Sequence, residues 1–162
     1  KRFKQGDWIN IEGVAEGEVE KIDFRSTLIR KFDSTPMTIP NYIFAEAPIL
    51  NYSDRVNRRI SWFIGLEYSS SLEQIKNFNM NISKYINESS DFIVNDLYKS
   101  FVRLDKFSDS SIDILVYCFA CTNDWETFLV IKEKLALKIK AEVEKQGLNF
   151  AFPSSSIYIE KQ

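Results

Sequence analysis

The second two-thirds of this 162-residue chain changes hydrophobic period four times, and that rhythm constrains its fold more than any other feature. Ile60, Trp62, Ile64, Leu66 and Tyr68 recur at every second position, so they share one face of a strand. The spacing then becomes three and four. Leu72, Ile75, Phe78, Ile82 and Ile86 form the apolar stripe of an amphipathic helix, with residues 69–71 offering serines as the N-cap. Residues 98–107 and 111–121 read as two strands joined by Ser108-Asp109-Ser110. Asn123 or Asp124 can cap a second helix, whose stripe is Phe128, Ile131, Leu135, Ile139 and Val143, and Gly147 is placed to end it. Ile157, Tyr158 and Ile159 make a last strand. Strand, helix, strand, strand, helix, strand is the split βαβ order of a ferredoxin-like α/β domain, expected over residues 57–162.

The first third has a different texture. Residues 8–11, 17–24, 27–32 and 37–39 read as short strands, separated by turn signals such as Asp33-Ser34-Thr35-Pro36 and closed by Pro40-Asn41. Several short strands with frequent turns predict a small barrel or sandwich, so the whole chain is α+β. Residues 42–54 read as a connection with one helical turn, and the domain boundary is expected at residues 55–57, leaving residues 1–56 as the β domain. About 50 residues bury little surface alone, so this unit is expected to lean on neighbours.

Composition removes most chemistry. The chain has no His, which excludes a histidine base and any zinc site that needs imidazole. Its 21 Lys and Arg against 23 Asp and Glu give a formal charge of −2, which argues against nucleic acid as a partner. The longest apolar run, residues 114–121, is far short of the roughly 20 residues of a membrane-crossing helix. Cys118 and Cys121 have CxxC spacing, but both fall on a predicted strand. There, residues three apart lie about 10 Å apart on opposite faces, beyond the roughly 4.4–6.8 Å of a disulfide; both are read as small core residues. Glu16, Glu18 and Glu20 form an acidic run on a solvated strand face. Asp109 and Asp113 flank a turn, and the glycines of residues 13–17 belong to a flexible turn, since Glu16 would repel a phosphate. Asn51-Tyr52-Ser53, Asn81-Ile82-Ser83 and Asn87-Glu88-Ser89 match a glycosylation sequon by chance. Lys132, Lys134, Lys138 and Lys140 interleave with Glu133, Glu142 and Glu144 on a solvent-facing helix. Trp8, Trp62 and Trp125 are read as packed. No catalytic residue, metal site or cofactor follows, and the residues alone favour a structural, assembling or ligand-sensing module over an enzyme.

Motif order then narrows the reading. Phe3-Lys4-Gln5-Gly6-Asp7-Trp8-Ile9 is followed by Gly17-Glu18-Val19-Glu20-Lys21-Ile22, Arg25-Ser26-Thr27-Leu28-Ile29-Arg30, Ile39-Pro40-Asn41 and Asn51-Tyr52-Ser53. In this order and spacing they resemble the small-conductance mechanosensitive channel (MscS) family. The likeness continues through residues 59–68, residues 111–117 and Phe150-Ala151-Phe152-Pro153-Ser154. The resemblance implies a cytoplasmic part made of an Sm-like β domain and an α/β domain, on the inner face of the cell membrane. It implies a homoheptameric cage whose openings pass inorganic ions and small solutes when membrane tension opens the pore. Gly6 and Gly17 would be tight turns, Arg25 and Thr27 would begin the third strand, and Pro40 and Asn41 would close the fourth. Residues 155–162, with Ile157, Tyr158 and Ile159, would join an intersubunit β-barrel. The family's pore helices would precede Lys1, which, standing in place of Met, suggests a piece of a longer protein. The competing expectation is a soluble ferredoxin-like module that binds or senses a small ligand.

Overall fold

The computed structural model describes residues 2–153. The chain divides into two compact units, one ending at Arg55 and one starting at Val56.

In the first unit, β1 (Trp8–Ile11) alternates strictly: Ile9 and Ile11 are fully buried, while Trp8 and Asn10 lie half-buried on the other face. β2 (Ala15–Ile22), β3 (Ser26–Arg30) and β4 (Pro36–Pro40) follow as antiparallel neighbours. A short helix, α1 (Ile43–Glu46), supplies Phe44 to the core, and β5 (Ile49–Asn51) returns to pair with β1. The sheet order is β4-β3-β2-β1-β5, an Sm-like antiparallel arrangement around Ile9, Ile11, Val19, Ile29, Ile39 and Phe44. A bulge between Val19 and Lys21 adds local twist to β2.

Two expectations need correction here. Residues 42–54 hold a strand as well as the helical turn. β5 is only three residues long and bounded by Pro48 and Asn51, which read as punctuation. Gly17 is not a tight turn. It lies inside β2, where a Cβ would stand 2.4 Å from the Arg30 carbonyl oxygen and 2.8 Å from Ile29 Cγ2, so the β2–β3 approach requires a residue with no side chain. Gly6 does sit in a turn, with φ +87°, a backbone that L side chains rarely adopt.

In the second unit, β6 (Arg58–Leu66), β8 (Ile112–Ala120) and β7 (Phe101–Phe107) form an antiparallel sheet in the order β6-β8-β7. Ile60, Leu66, Val102, Ile112, Ile114, Val116, Cys118 and Ala120 project from one face into the core. The stripes of α2 (Leu72–Glu88) and α3 (Trp125–Lys145) cover that face with Ile75, Phe78, Ile82 and Ile86, and with Phe128, Ile131, Leu135, Ile139 and Val143. Leu72 is on the stripe but 74% exposed, because it opens the first turn. Ser71 caps α2: its Oγ accepts from the Gln74 N–H while Gln74 Oε1 accepts from the Ser71 N–H, a reciprocal capping box. Asp124 Oδ2 accepts from the Thr127 N–H at 2.7 Å and caps α3.

After α3 the chain returns to the free edge of β6. Ala151 N–H donates to the Gly65 carbonyl and Glu67 N–H to that of Asn149, with an antiparallel bridge between Leu66 and Phe150. Residues 149–151 thus take the fourth position of the ferredoxin-like sheet. Ile157, Tyr158 and Ile159, expected as the last strand, lie outside the described residues, as does Ser154.

Three further expectations change. Cys118 is buried on β8, but Cys121 lies one residue past its end and is exposed, so only one thiol is a core residue. Trp125 is 53% exposed rather than packed. Glu142 is not on a solvent-facing helix surface; it is 2% exposed between α2 and α3.

Candidate functional site

The residues singled out by motif order gather in the first unit as two hydrogen-bonded clusters. In the first, the turn at Gly6 places Asp7 under the sheet end, 4% exposed. Asp7 Oδ2 accepts from the Lys4 N–H and from Asn51 Nδ2, each at 2.9 Å. Asn51 Oδ1 accepts from the Ser53 N–H, and Ser53 Oγ accepts from the Trp8 N–H at 2.9 Å. The Asp7–Asn51 bond spans 44 residues and the Trp8–Ser53 bond 45, so together they tie the start of the unit to its last strand. Asn51-Tyr52-Ser53, the last of the segments singled out by motif order, supplies half of this cluster through Asn51 and Ser53.

In the second cluster, Asn41 is the hub. Its N–H donates to the Arg25 carbonyl, its Nδ2 to the carbonyls of Asp23 and Phe24, and its Oδ1 accepts from Thr27 Oγ1 at 2.8 Å. Thr27 is 1% exposed, so its hydroxyl needs this partner. Arg25 stands just before β3 and contributes its backbone; Pro40 ends β4 and hands the chain to Asn41. This work by Asn41 explains why an Ile-Pro-Asn sequence stands where it does.

The acidic run is dismantled by its partners. Glu16 accepts from Trp8 Nε1 and Asn10 Nδ2, Glu18 is exposed, and Glu20 pairs with Arg30 at 2.6 Å. The hydrogen bond from Arg30 and then its charge hold Glu20 below the ordinary carboxylate range. The Arg55 guanidinium lies over both Trp8 and Tyr52, 4.8 and 4.6 Å from their centroids, while the two rings meet each other edge to face.

In the second unit Asp113 accepts from Ser108 Oγ and Ser111 Oγ, both at 2.6 Å. These hydroxyls lower its pKa and lock the β7–β8 hairpin. Glu142 Oε1 accepts from Asn81 Nδ2 and Gln146 Nε2. Burial pushes Glu142 up, but those two amides together with Lys145 and Lys138 outweigh it and leave its pKa lowered. Periodicity alone misses this residue, although its position one residue before Val143, beside the apolar stripe of α3, is the available signal.

Among the described residues no three His, Cys, Asp or Glu side chains converge on a metal position, and no helix is long and apolar enough to cross a membrane. The clusters around Asp7 and Asn41 hold backbone in place, and Glu142 ties α2 to α3 through side chains alone. An antiparallel five-stranded β unit followed by a split βαβ unit is the architecture these residues build. A family described as "Mechanosensitive ion channel, beta-domain" matches residues 1–54, and one described as "Mechanosensitive ion channel MscS, C-terminal" matches residues 60–150. The chain belongs to the MscS family.

Among its relatives, an MscS family protein of Helicobacter pylori is 43% identical over 98% of this chain and 30% of its own length. The small-conductance mechanosensitive channel MscMJ of Methanocaldococcus jannaschii is 37% identical over 99% of this chain and 45% of its own length. The chain therefore spans less than half of either relative. The crystal structure of Helicobacter pylori MscS in a closed state matches with a TM-score of 0.80 and 27% identity, over 99% of this chain and 60% of that one. The cryo-EM structure of Arabidopsis thaliana MSL1 A320V matches with a TM-score of 0.84 at 20% identity, over 94% of this chain and 56% of that one, a likeness of fold.

Proposed function

We propose that this chain is the cytoplasmic scaffold of a mechanosensitive channel that opens under membrane tension and releases ions and small solutes. The observation that carries the reading is the pair of family matches, one on each unit and in the family's order. Tension favours whichever conformation occupies more area in the membrane, so stretch shifts a closed–open equilibrium in membrane segments. The scaffold performs no chemistry. It holds subunits in register around a sevenfold axis, anchors the pore through the β unit, and screens permeants by the size and lining charge of its openings. A formal charge of −2 per copy gives a mild acidic bias. Family membership favours this reading over a solitary ligand-sensing module.

The test is electrical. The parent protein, reconstituted in giant vesicles, is expected to pass stepwise currents when suction is applied to a patch. Silence at lytic suction overturns the proposal. The barrel assigned to residues 155–162, with Ile157, Tyr158 and Ile159 as subunit contacts, is tested separately. Deleting those residues is expected to lower the yield of heptamer in the parent protein, and equal yield counts against the barrel.

A further inference from the structure

Phe24 is 95% exposed, more than any other large apolar side chain among the described residues, and it stands in the turn between β2 and β3. Tyr42, next to the hub Asn41, is 65% exposed, and Ile22, the last residue of β2, is 43% exposed. Ile22, Thr27 and Asn41 line one groove with Arg2, Phe3 and Phe44, so these residues share one end of the first unit. Single exposed apolar side chains are ordinary, but three gathered around a fully projecting ring mark a contact surface.

The backbone of this tip is prepared to leave water. Asn41 Nδ2 donates to the carbonyls of Asp23 and Phe24, the Asn41 N–H to that of Arg25, and the Asp23 N–H to that of Ser26. Four consecutive carbonyls are thus answered from within the protein. A loop that meets only water has no need of this, whereas an unanswered carbonyl near lipid is costly. The charges fit the same surroundings. Lys21 pairs with Asp23 at 2.8 Å, which cancels the one carboxylate of the turn. Arg25 has no carboxylate at ion-pair distance among the described residues. Arg2 gives Nη1 to the neutral Phe44 carbonyl and keeps its charge. These four side chains carry a formal +2 in a chain of −2.

We propose that the β2–β3 tip is a membrane-surface anchor: Phe24, with Tyr42 and Ile22 beside it, enters the headgroup boundary of an anionic bilayer while Arg25 and Arg2 meet lipid phosphates. Interfacial binding needs only a few apolar side chains together with attraction to anionic lipid. Tyr42 suits that depth, its ring in the apolar layer and its hydroxyl in water. A protein partner needs more area. Phe24 and Tyr42 together bury at most about 300–500 Å², short of the roughly 800 Å² per partner of a standard interface. The anchor deepens the channel reading, and rests on it, by naming the part of the β unit that touches lipid.

The test sediments the 162-residue chain with vesicles of phosphatidylcholine, alone or mixed with an equal part of phosphatidylglycerol, at fixed ionic strength. Binding to the mixed vesicles is expected to exceed binding to phosphatidylcholine at least tenfold. Phe24→Ser is expected to weaken it at least tenfold and Arg25→Glu at least threefold, with melting curves unchanged because both side chains are exposed. Phe24→Trp is expected to keep the binding and to be quenched by brominated lipid more strongly than the parent. Leu97→Ser, at a 78% exposed position of the second unit, is expected to bind as the parent does. The proposal is overturned by failure to sediment with the mixed vesicles, by equal binding to the two lipids, or by Phe24→Ser binding as the parent does; the tip then belongs to a protein partner. The assay reads no current, so its failure leaves the suction experiment to decide the channel reading by itself.

Discussion

Among the described residues, the unit ending at Arg55 closes over six buried apolar side chains and the unit starting at Val56 over nineteen. The smaller unit makes up for its thin core with polar side chains that bond one another across long stretches of sequence: buried Asp7 with Asn51 at one end, buried Thr27 with Asn41 at the other. The larger unit has helices to spend on packing, and its one buried carboxylate, Glu142, clamps α2 to α3 instead of building the sheet. The difference teaches that a motif can be structural and still be polar. In a small β unit, side-chain hydrogen bonds hold the turns in place, and losing one leaves a buried group without a partner.

If the second unit depends on its core, Phe78→Ala, at a fully buried position on α2, is expected to cost about 3–5 kcal/mol in urea unfolding. A loss below about 1 kcal/mol would break the comparison. In the first unit Gly17→Ala is expected to cost about 1–3 kcal/mol, because its methyl group meets β3 backbone that must move. Asp7→Ala and Asn41→Ala are each expected to cost about 1–3 kcal/mol, the first by leaving the Lys4 N–H and Asn51 amide unanswered, the second by leaving the buried Thr27 hydroxyl without its acceptor. Silence of either in unfolding experiments would show that the clusters are ornaments of a core that is sufficient alone.

Glu142→Gln sharpens the contrast through pH. The carboxylate is held below its ordinary value, so its contribution is complete above the unfolded-state pKa of about 4.3 and is lost as pH falls through the lower folded value. The stability gap between the parent and Glu142→Gln is therefore expected to be flat near neutrality and to shrink below about pH 4.5, followed by circular dichroism. A gap that widens on acidification would refute the assignment. The smallest effect belongs to Lys140→Ala, whose exposed pair with Glu144 is expected to contribute no more than about 0.5 kcal/mol.

The elements that periodicity makes legible are those whose buried face is continuous. Ile75, Phe78, Ile82 and Ile86 announce α2, and Phe128 through Val143 announce α3, because a helix must bury a stripe. β5 stays hidden because three residues cannot display a period. Gly17 cannot be placed from its neighbours, since the reason for it lies on β3 at Ile29 and Arg30. Glu142 and Cys121 mislead for a related reason: burial one position from a stripe, or one residue past a strand, is set by partners distant in sequence. The clusters around Asp7 and Asn41 are visible as motifs, yet their hydrogen bonds are not, because each partner lies on another strand.

The unequal fate of the two cysteines has a practical consequence. Burial pushes the Cys118 thiol up to about 12, so it is almost wholly protonated and shielded at neutral pH, while Cys121 is open to solvent. A maleimide fluorophore or spin label added to the unaltered polypeptide would attach at Cys121 alone. The molecule carries its own single attachment point for a spectroscopic probe, and no engineered substitution is required to use it.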